Sequence, residues 1–169
     1  LPGLALCVLL SSFGASSANV ALPALQRAFG AGFAAVQWIV LAYLLATTAA
    51  AVGAGRLGDM IGRRRVLLGG IALFGVASGV CALAPTLPLL VAARALQGLG
   101  AAVMLSLGMA LAAGGQQRGT GRAMGLLGSM SAVGTALGPA LGGLLLAGPG
   151  WRAVFAAMLP AALLAFALA

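Results

Sequence analysis

Side chains able to do chemistry fall at three places in an otherwise apolar chain. The densest is residues 55–65, where Gly55, Arg56, Gly58, Asp59, Gly62, Arg63, Arg64 and Arg65 put one carboxylate among four guanidinium groups. A carboxylate so placed accepts paired, charge-assisted hydrogen bonds from arginine, and the spaced glycines permit a tight reversal with close backbone approach. Such a cluster reads as a basic loop held at an anionic membrane surface, although topology needs neither the spaced glycines nor the single acid. The second place is Arg94 with Gln97 and Gly98, a planar five-donor cation in the middle of an apolar run. The third is Gly134, Gly138 and Gly142, with Pro139 and Gly143 beside them. Spacing by four puts those three glycines on one helical face, a groove for a neighbouring helix, while Pro139 removes a backbone hydrogen bond and can bend its helix.

Composition excludes most other chemistry. Of 169 residues, 63% are hydrophobic and 6% charged, against about 25% charged in a soluble domain, so this is not a soluble globular protein. With 9 basic residues, 1 acid and no histidine, the chain cannot assemble a carboxylate pair, a serine-histidine-acid triad or a histidine metal site. No enzyme, metal or cofactor is expected. The net charge of +8 resides in scattered arginines with only 5% aromatic residues, which fits a lipid bilayer better than a nucleic acid. Alanine, glycine and leucine with arginine as the sole basic residue is a composition common in GC-rich bacteria, and the expected location is a bacterial plasma membrane.

The elements that position these residues are membrane spans. A helix crosses a hydrocarbon core of ~30 Å with about 20 apolar residues. Six stretches qualify, near residues 3–22, 34–54, 66–84, 88–112, 122–147 and 152–169. Pro23, the polar residues 55–65, Pro85 with Pro88, residues 114–121 and residues 148–150 separate them. Arg56, Arg63, Arg64, Arg65, Arg118 and Arg122 fall on one side and Arg27 and Arg152 on the other, so the positive-inside rule puts the crowded side and the N-terminus in the cytoplasm. Cys7 and Cys81 then differ in depth by ~15 Å, too far for a disulfide. The sequence opens at Leu1 without methionine and stops inside its last apolar run, which reads as truncation at both ends.

Arg94 lies one turn or two below Pro88, within the hydrocarbon zone. An arginine there costs ~2.5–3.5 kcal/mol even on the lenient insertion scale, so it faces either the bundle interior or, by snorkelling, the interface. Gln97 shares its face. A purely structural arginine should be replaceable by a neutral residue with a gain in stability. Ser12, Ser16, Asn19, Thr47 and Ser106 are candidate cavity groups, although isolated hydroxyls in membrane helices often bond to backbone.

Taken in order, these features resemble the major facilitator superfamily. Gly55-x-Leu57-x-Asp59-x-x-Gly62-Arg63-Arg64 looks like its motif A after the second span, Arg94-Ala-Leu-Gln97-Gly98 like motif B of the fourth, and Gly134-x-x-x-Gly138-Pro139-x-x-Gly142-Gly143 like motif C of the exporting, antiporter branch. Asn19-Val20-Ala21-Leu22-Pro23, residues 37–43 and Trp151-Arg152 resemble the fourteen-span drug:proton antiporters. The resemblance implies an all-α, polytopic fold of six transmembrane helices in two inverted three-helix repeats, forming one half of a transporter whose C-terminal half lies outside this sequence. It also implies proton-coupled export of amphipathic drugs or other small organic compounds. Motif A would be a conformational gate, Arg94 and Gln97 would serve coupling or substrate handling, and motif C would shape the antiporter helix. One position departs from the subfamily. Its usual first-span acid, five residues before Asn19, is Gly14 here, and these spans hold no titratable acid, which leaves an uncoupled facilitator or an uptake symporter of the same fold as alternatives. A truncated, non-transporting interaction subunit is a further one.

Overall fold

The structure, a computed structural model, describes residues 2–114 and 120–169. Arg118, counted above for orientation, lies outside the described residues. Among the described residues seven helices follow one another: α1 (Pro2–Phe29), α2 (Phe33–Ile61), α3 (Arg63–Leu83), α4 (Leu87–Gly114), α5 (Thr120–Ala147), α6 (Trp151–Ala156) and α7 (Met158–Leu168). The last two form one span interrupted at Ala157. Pro160 accounts for the break, because it cannot donate to the carbonyl of Ala156. Among the described residues six helical segments are therefore long and apolar enough to cross a membrane, and the chain is a multi-pass membrane protein.

Several boundaries lie beyond those expected from hydropathy. Pro23 does not end the first helix; α1 continues through it to Phe29. A transmembrane helix tolerates one lost donor when the rest of its ladder is intact, and α1 stops only at Gly30, whose φ of +57° allows the left-handed cap. There the N–H of Ala31 bonds the carbonyl of Gln26 at 3.3 Å. Nor are residues 55–65 a loop. Helix α2 runs to Ile61, α3 begins at Arg63, and Gly62 alone separates them with φ of +110°. At 28 residues α1 rises about 42 Å, longer than the ~30 Å hydrocarbon core, so its end and that of the 29-residue α2 extend past the apolar layer.

The helices pair across the sequence. Leu9, Ser12, Ser16 and Ser17 of α1 meet Gly134, Gly138 and Gly142 of α5 in ascending order, so the two run parallel. Tyr43, Ala46 and Thr47 of α2 meet Gly98 of α4, and Gly55 and Gly58 meet Ser106 and Leu107, again in parallel. Exchanging the first three helices with the second three converts one pairing into the other, as two inverted repeats require. Helix α3 runs antiparallel to α4, with Gly70 against Val103 and Gly100 against Phe74. The core under this frame joins Phe13, Tyr43, Leu67, Ile71, Phe74, Met104 and Leu107. Outward faces carry Val52, Val76, Leu83, Leu144 and Leu163, apolar side chains suited to lipid.

Candidate functional site

Arg94 is fully buried, and no bulkier side chain in the described core is buried as completely. It turns into the bundle rather than toward the interface. Its Nε donates to the Ile39 carbonyl of α2 at 3.1 Å, its Nη1 to Gln97 Oε1 at 2.5 Å, and its Nη2 to the Gly14 carbonyl of α1 at 2.9 Å. The Tyr43 ring lies 4.2 Å from the guanidinium carbon and the Phe155 ring 5.8 Å away, within reach of cation–π attraction. The cation is thus held among neutral acceptors and ring faces.

Gln97 extends the network. Its Nε2 donates to Ser78 Oγ of α3 at 2.7 Å and reaches Met158 Sδ of α7 at 3.2 Å. Ser78 in turn donates to the Phe74 carbonyl. Tyr43 is fixed from its far end, its hydroxyl donating to the Ser11 carbonyl at 2.7 Å. Among the described helices, α1, α2, α3, α4, α6 and α7 all contribute to the polar knot. Gly14 fits it for a steric reason. A methyl group there would stand 3.2 Å from the Tyr43 hydroxyl and 3.4 Å from the Phe74 ring, so a side chain at this position enters the knot directly.

Gly98 lets α4 approach: an added methyl group would overlap the Tyr43 carbonyl and stand 3.0 Å from Ala46 Cβ. Thr47 Oγ1 donates to the Tyr43 and Gly98 carbonyls at 2.7 and 3.1 Å, which ties the same seam.

The antiporter-like glycines build the other parallel seam. A methyl group at Gly134 would overlap the Leu9 carbonyl, and one at Gly138 would overlap Ser16 Oγ, whereas at Gly142 it would find ordinary contact with Ser17 at 3.6 Å and at Gly143 nothing within 4 Å. Gly143 therefore belongs to the motif but not to the groove. Ser12 Oγ and Ser131 Oγ share a hydrogen bond at 2.8 Å, and Ser16 Oγ bonds the Ser12, Phe13 and Gly134 carbonyls at 3.1 to 3.4 Å. The hydroxyls of Ser12, Ser16 and Thr47 are therefore engaged in tying helices. Asn19 is exposed, with Nδ2 3.4 Å from the Ala15 carbonyl, and Ser106 is half-buried beside Gly55. These five candidate cavity groups do not gather into one site with Arg94.

At the α2–α3 junction Asp59 Oδ1 accepts from Arg63 Nε at 3.0 Å and Nη2 at 2.9 Å, while Arg63 Nη1 reaches the Ala110 carbonyl of α4 at 3.4 Å. Both partners of the ion pair are exposed. Gly55 and Gly58 are not part of the reversal but sit on the α2 face turned to α4, where a methyl group at Gly58 would stand 2.5 Å from Leu107 Cδ2. The reversal falls to Gly62. Arg64 Nε donates to the Ala169 carbonyl at 3.2 Å. Cys7 and Cys81 are free and buried in separate clusters.

The sequence profile of the Major Facilitator Superfamily matches residues 4–169. The chain belongs to that superfamily. Among the superfamily members similar to it are the multidrug resistance protein Stp and the drug efflux pump JefA of Mycobacterium tuberculosis, each 42% identical over 144 residues, or 84% of this chain. The riboflavin transporter RibZ of Clostridioides difficile is 30% identical over 94% of it. The chain spans 27% of Stp, 28% of JefA and 35% of RibZ, matching the N-terminal part of the efflux pumps. The six-span architecture is that of one superfamily half.

Sequence reasoning did not single out Tyr43, Ser78, Phe155 or Met158 as parts of the knot. One signal was present for the first: Tyr43 is the sole tyrosine of the sequence, and a phenol inside a membrane span needs a hydrogen-bond partner.

Proposed function

We propose that the chain is the N-terminal six-helix half of a proton-coupled exporter of amphipathic drugs or other small organic compounds. The observation that carries this reading is the glycine-grooved α1–α5 seam, with Gly134 and Gly138 admitting the α1 backbone, in a chain similar to two proteins named as a drug efflux pump and a multidrug resistance protein. Two parallel seams, α1 with α5 and α2 with α4, are surfaces on which one helix pair can tilt against the other. The Asp59–Arg63 pair would gate that motion at the α2–α3 junction, and the knot around Arg94 would carry strain between the helices it joins. The N-terminus and the arginine-rich junction would face the cytoplasm of a bacterium, with a C-terminal half completing the substrate path.

Proton coupling needs a titratable group, and Asp59 is the only acid in the sequence. Its ion pair lies at a helix junction instead of within the bundle, so the coupling acid in this reading belongs to the C-terminal half. A second reading, an uncoupled facilitator, draws on the Gly14 carbonyl occupying the guanidinium where the subfamily has a carboxylate. Transport of a fluorescent amphipathic dye by the complete gene product in everted membrane vesicles separates the two. Uphill movement that stops when an ionophore collapses the proton gradient supports coupled export. Downhill flux indifferent to the ionophore establishes the facilitator, and absence of flux with normal membrane abundance refutes transport.

A further inference from the structure

We infer that the outer face of α3 is a binding site for an anionic glycerophospholipid, with the headgroup phosphate at Arg64 and Arg65 and one acyl chain in the groove between α3 and α7. This does not rest on the transport reading; it needs only the membrane-spanning fold.

Two cavities carry it. The first, of about 660 Å³, opens at the start of α3 and is lined by Arg63, Arg64 and Arg65 above Leu68 and Leu111. All three are exposed; Arg63 is engaged by Asp59, and Arg64 gives its Nε to the Ala169 carbonyl, with no hydrogen bond from its two terminal nitrogens among the described residues. The α3 N-terminus adds its partial positive charge to theirs, since no side chain caps it. Three guanidinium groups rimming a pocket with apolar walls match a phosphate carried on an apolar body, because basic pockets between spans bind anionic headgroups.

The second cavity, of about 270 Å³, is lined solely by apolar and small residues, among them Ala72, Gly75, Val76, Leu159, Leu163 and Phe166. The two are joined along one helical stripe. Arg65, Leu68, Ala72 and Val76 are spaced by three and four, so they follow one another on a single face of α3. Ala72 and Val76 are exposed and Leu68 half-buried, so that face is not covered by the described residues.

Length supports the assignment. From Arg65 to Val76 the helix rises about 16 Å, close to half of the ~30 Å hydrocarbon core. A lipid with its phosphate on the arginines would thus extend its chain one leaflet deep, ending where the groove ends at Leu159 and Val76. A free phosphate would use the first cavity and leave the second unfilled, and this distinguishes the two sources of the same charge.

The complete protein, delipidated in a non-ionic detergent, is titrated with phosphatidylglycerol, with phosphatidylcholine of the same chains, and with glycerol 3-phosphate, following thermal unfolding. Phosphatidylglycerol is expected to raise the melting temperature saturably, phosphatidylcholine far less, and glycerol 3-phosphate only at much higher concentration. Arg64→Gln with Arg65→Gln should weaken the phosphatidylglycerol response about fivefold per arginine removed. Ala72→Phe, which fills the groove, should weaken the response to phosphatidylglycerol but not that to glycerol 3-phosphate; Val76→Trp provides the same blockade from the next turn. Equal responses to the two lipids, unchanged by the arginine substitutions, overturn the site as an ordinary lipid annulus. A phosphatidylglycerol response indifferent to both groove substitutions, matched by glycerol 3-phosphate, reassigns the first cavity to free anions and overturns the acyl site.

Discussion

Replacing Arg94 by methionine and by alanine separates charge from volume at the centre of the bundle. Three hydrogen bonds to oxygen hold the guanidinium; at about 0.6 kcal/mol each inside a membrane they contribute about 2 kcal/mol. Stacking on Tyr43 at 4.2 Å adds about 1 kcal/mol. Against this stands the ~2.5–3.5 kcal/mol cost of placing the cation in the hydrocarbon zone. The terms nearly cancel. Methionine retains much of the volume and leaves Gln97 Oε1 without its donor, so Arg94→Met should cost about 1–2 kcal/mol. Arg94→Ala also empties a fully buried site and should cost about 3 kcal/mol more, as large-to-small core substitutions do. The gain in stability that a purely structural arginine would give on neutral replacement is therefore not expected here: even a replacement of matching size should cost about 1–2 kcal/mol. Equilibrium unfolding of the complete protein in mixed micelles measures both variants. If Arg94→Met is as unstable as Arg94→Ala, the polar contacts outweigh burial and the reasoning fails. Transport by Arg94→Met at the unsubstituted rate would, separately, remove Arg94 from the coupling mechanism.

Three other predictions address the seams, the junction and the orientation. Gly138→Ala, which overlaps Ser16, should destabilise the protein by about 1–3 kcal/mol, whereas Gly143→Ala, with nothing within 4 Å, should stay within about 0.5 kcal/mol in the same unfolding assay. Asp59→Asn should lower dye transport severely while moving stability by less than about 1 kcal/mol, because an exposed ion pair contributes little; loss of both together would make the residue structural. A cysteine at Met60, 83% exposed beside the junction, should react in intact cells only with membrane-permeant thiol reagents, and one at Ala31, between α1 and α2, also with impermeant ones. The inverse labelling pattern would reverse the orientation.

How far the sequence carried this molecule differs between its parts. The six spans were legible because hydrocarbon thickness sets a length that composition must meet, and the grooved face of α5 because glycines spaced by four fall on one side of a helix; the α2–α4 seam was not, because Gly55 and Gly58 read as a reversal. The extension of α1 through Pro23 and of α2 through Gly55 to Ile61 was not legible, since both residues signal a break when no surrounding helix is known. The partners of Arg94 were hidden for a different reason. Two of its acceptors are the carbonyls of Gly14 and Ile39, and a main-chain oxygen has no residue type to announce it. The sequence marked Gly14 as the absence of an acid; the fold makes the same position an acceptor without a carboxylate.

The one-residue break at Gly62 has a mechanical consequence. Two long rods, α2 and α3, meet at a joint with a single pair of torsions, and the strut across it is the ion pair from Asp59 to Arg63, anchored to α4 through the Ala110 carbonyl. Torsional freedom at glycine supplies almost no restoring force of its own. Packing of both helices on α4 limits the joint, and the remaining contribution comes from a pair of charges in contact with water, where screening acts over about 8 Å at physiological ionic strength. That contribution is larger in dilute salt and smaller in concentrated salt, so of the contacts that hold the two spans at this angle, the one at the joint is the one that the ionic composition of the adjoining water can reach.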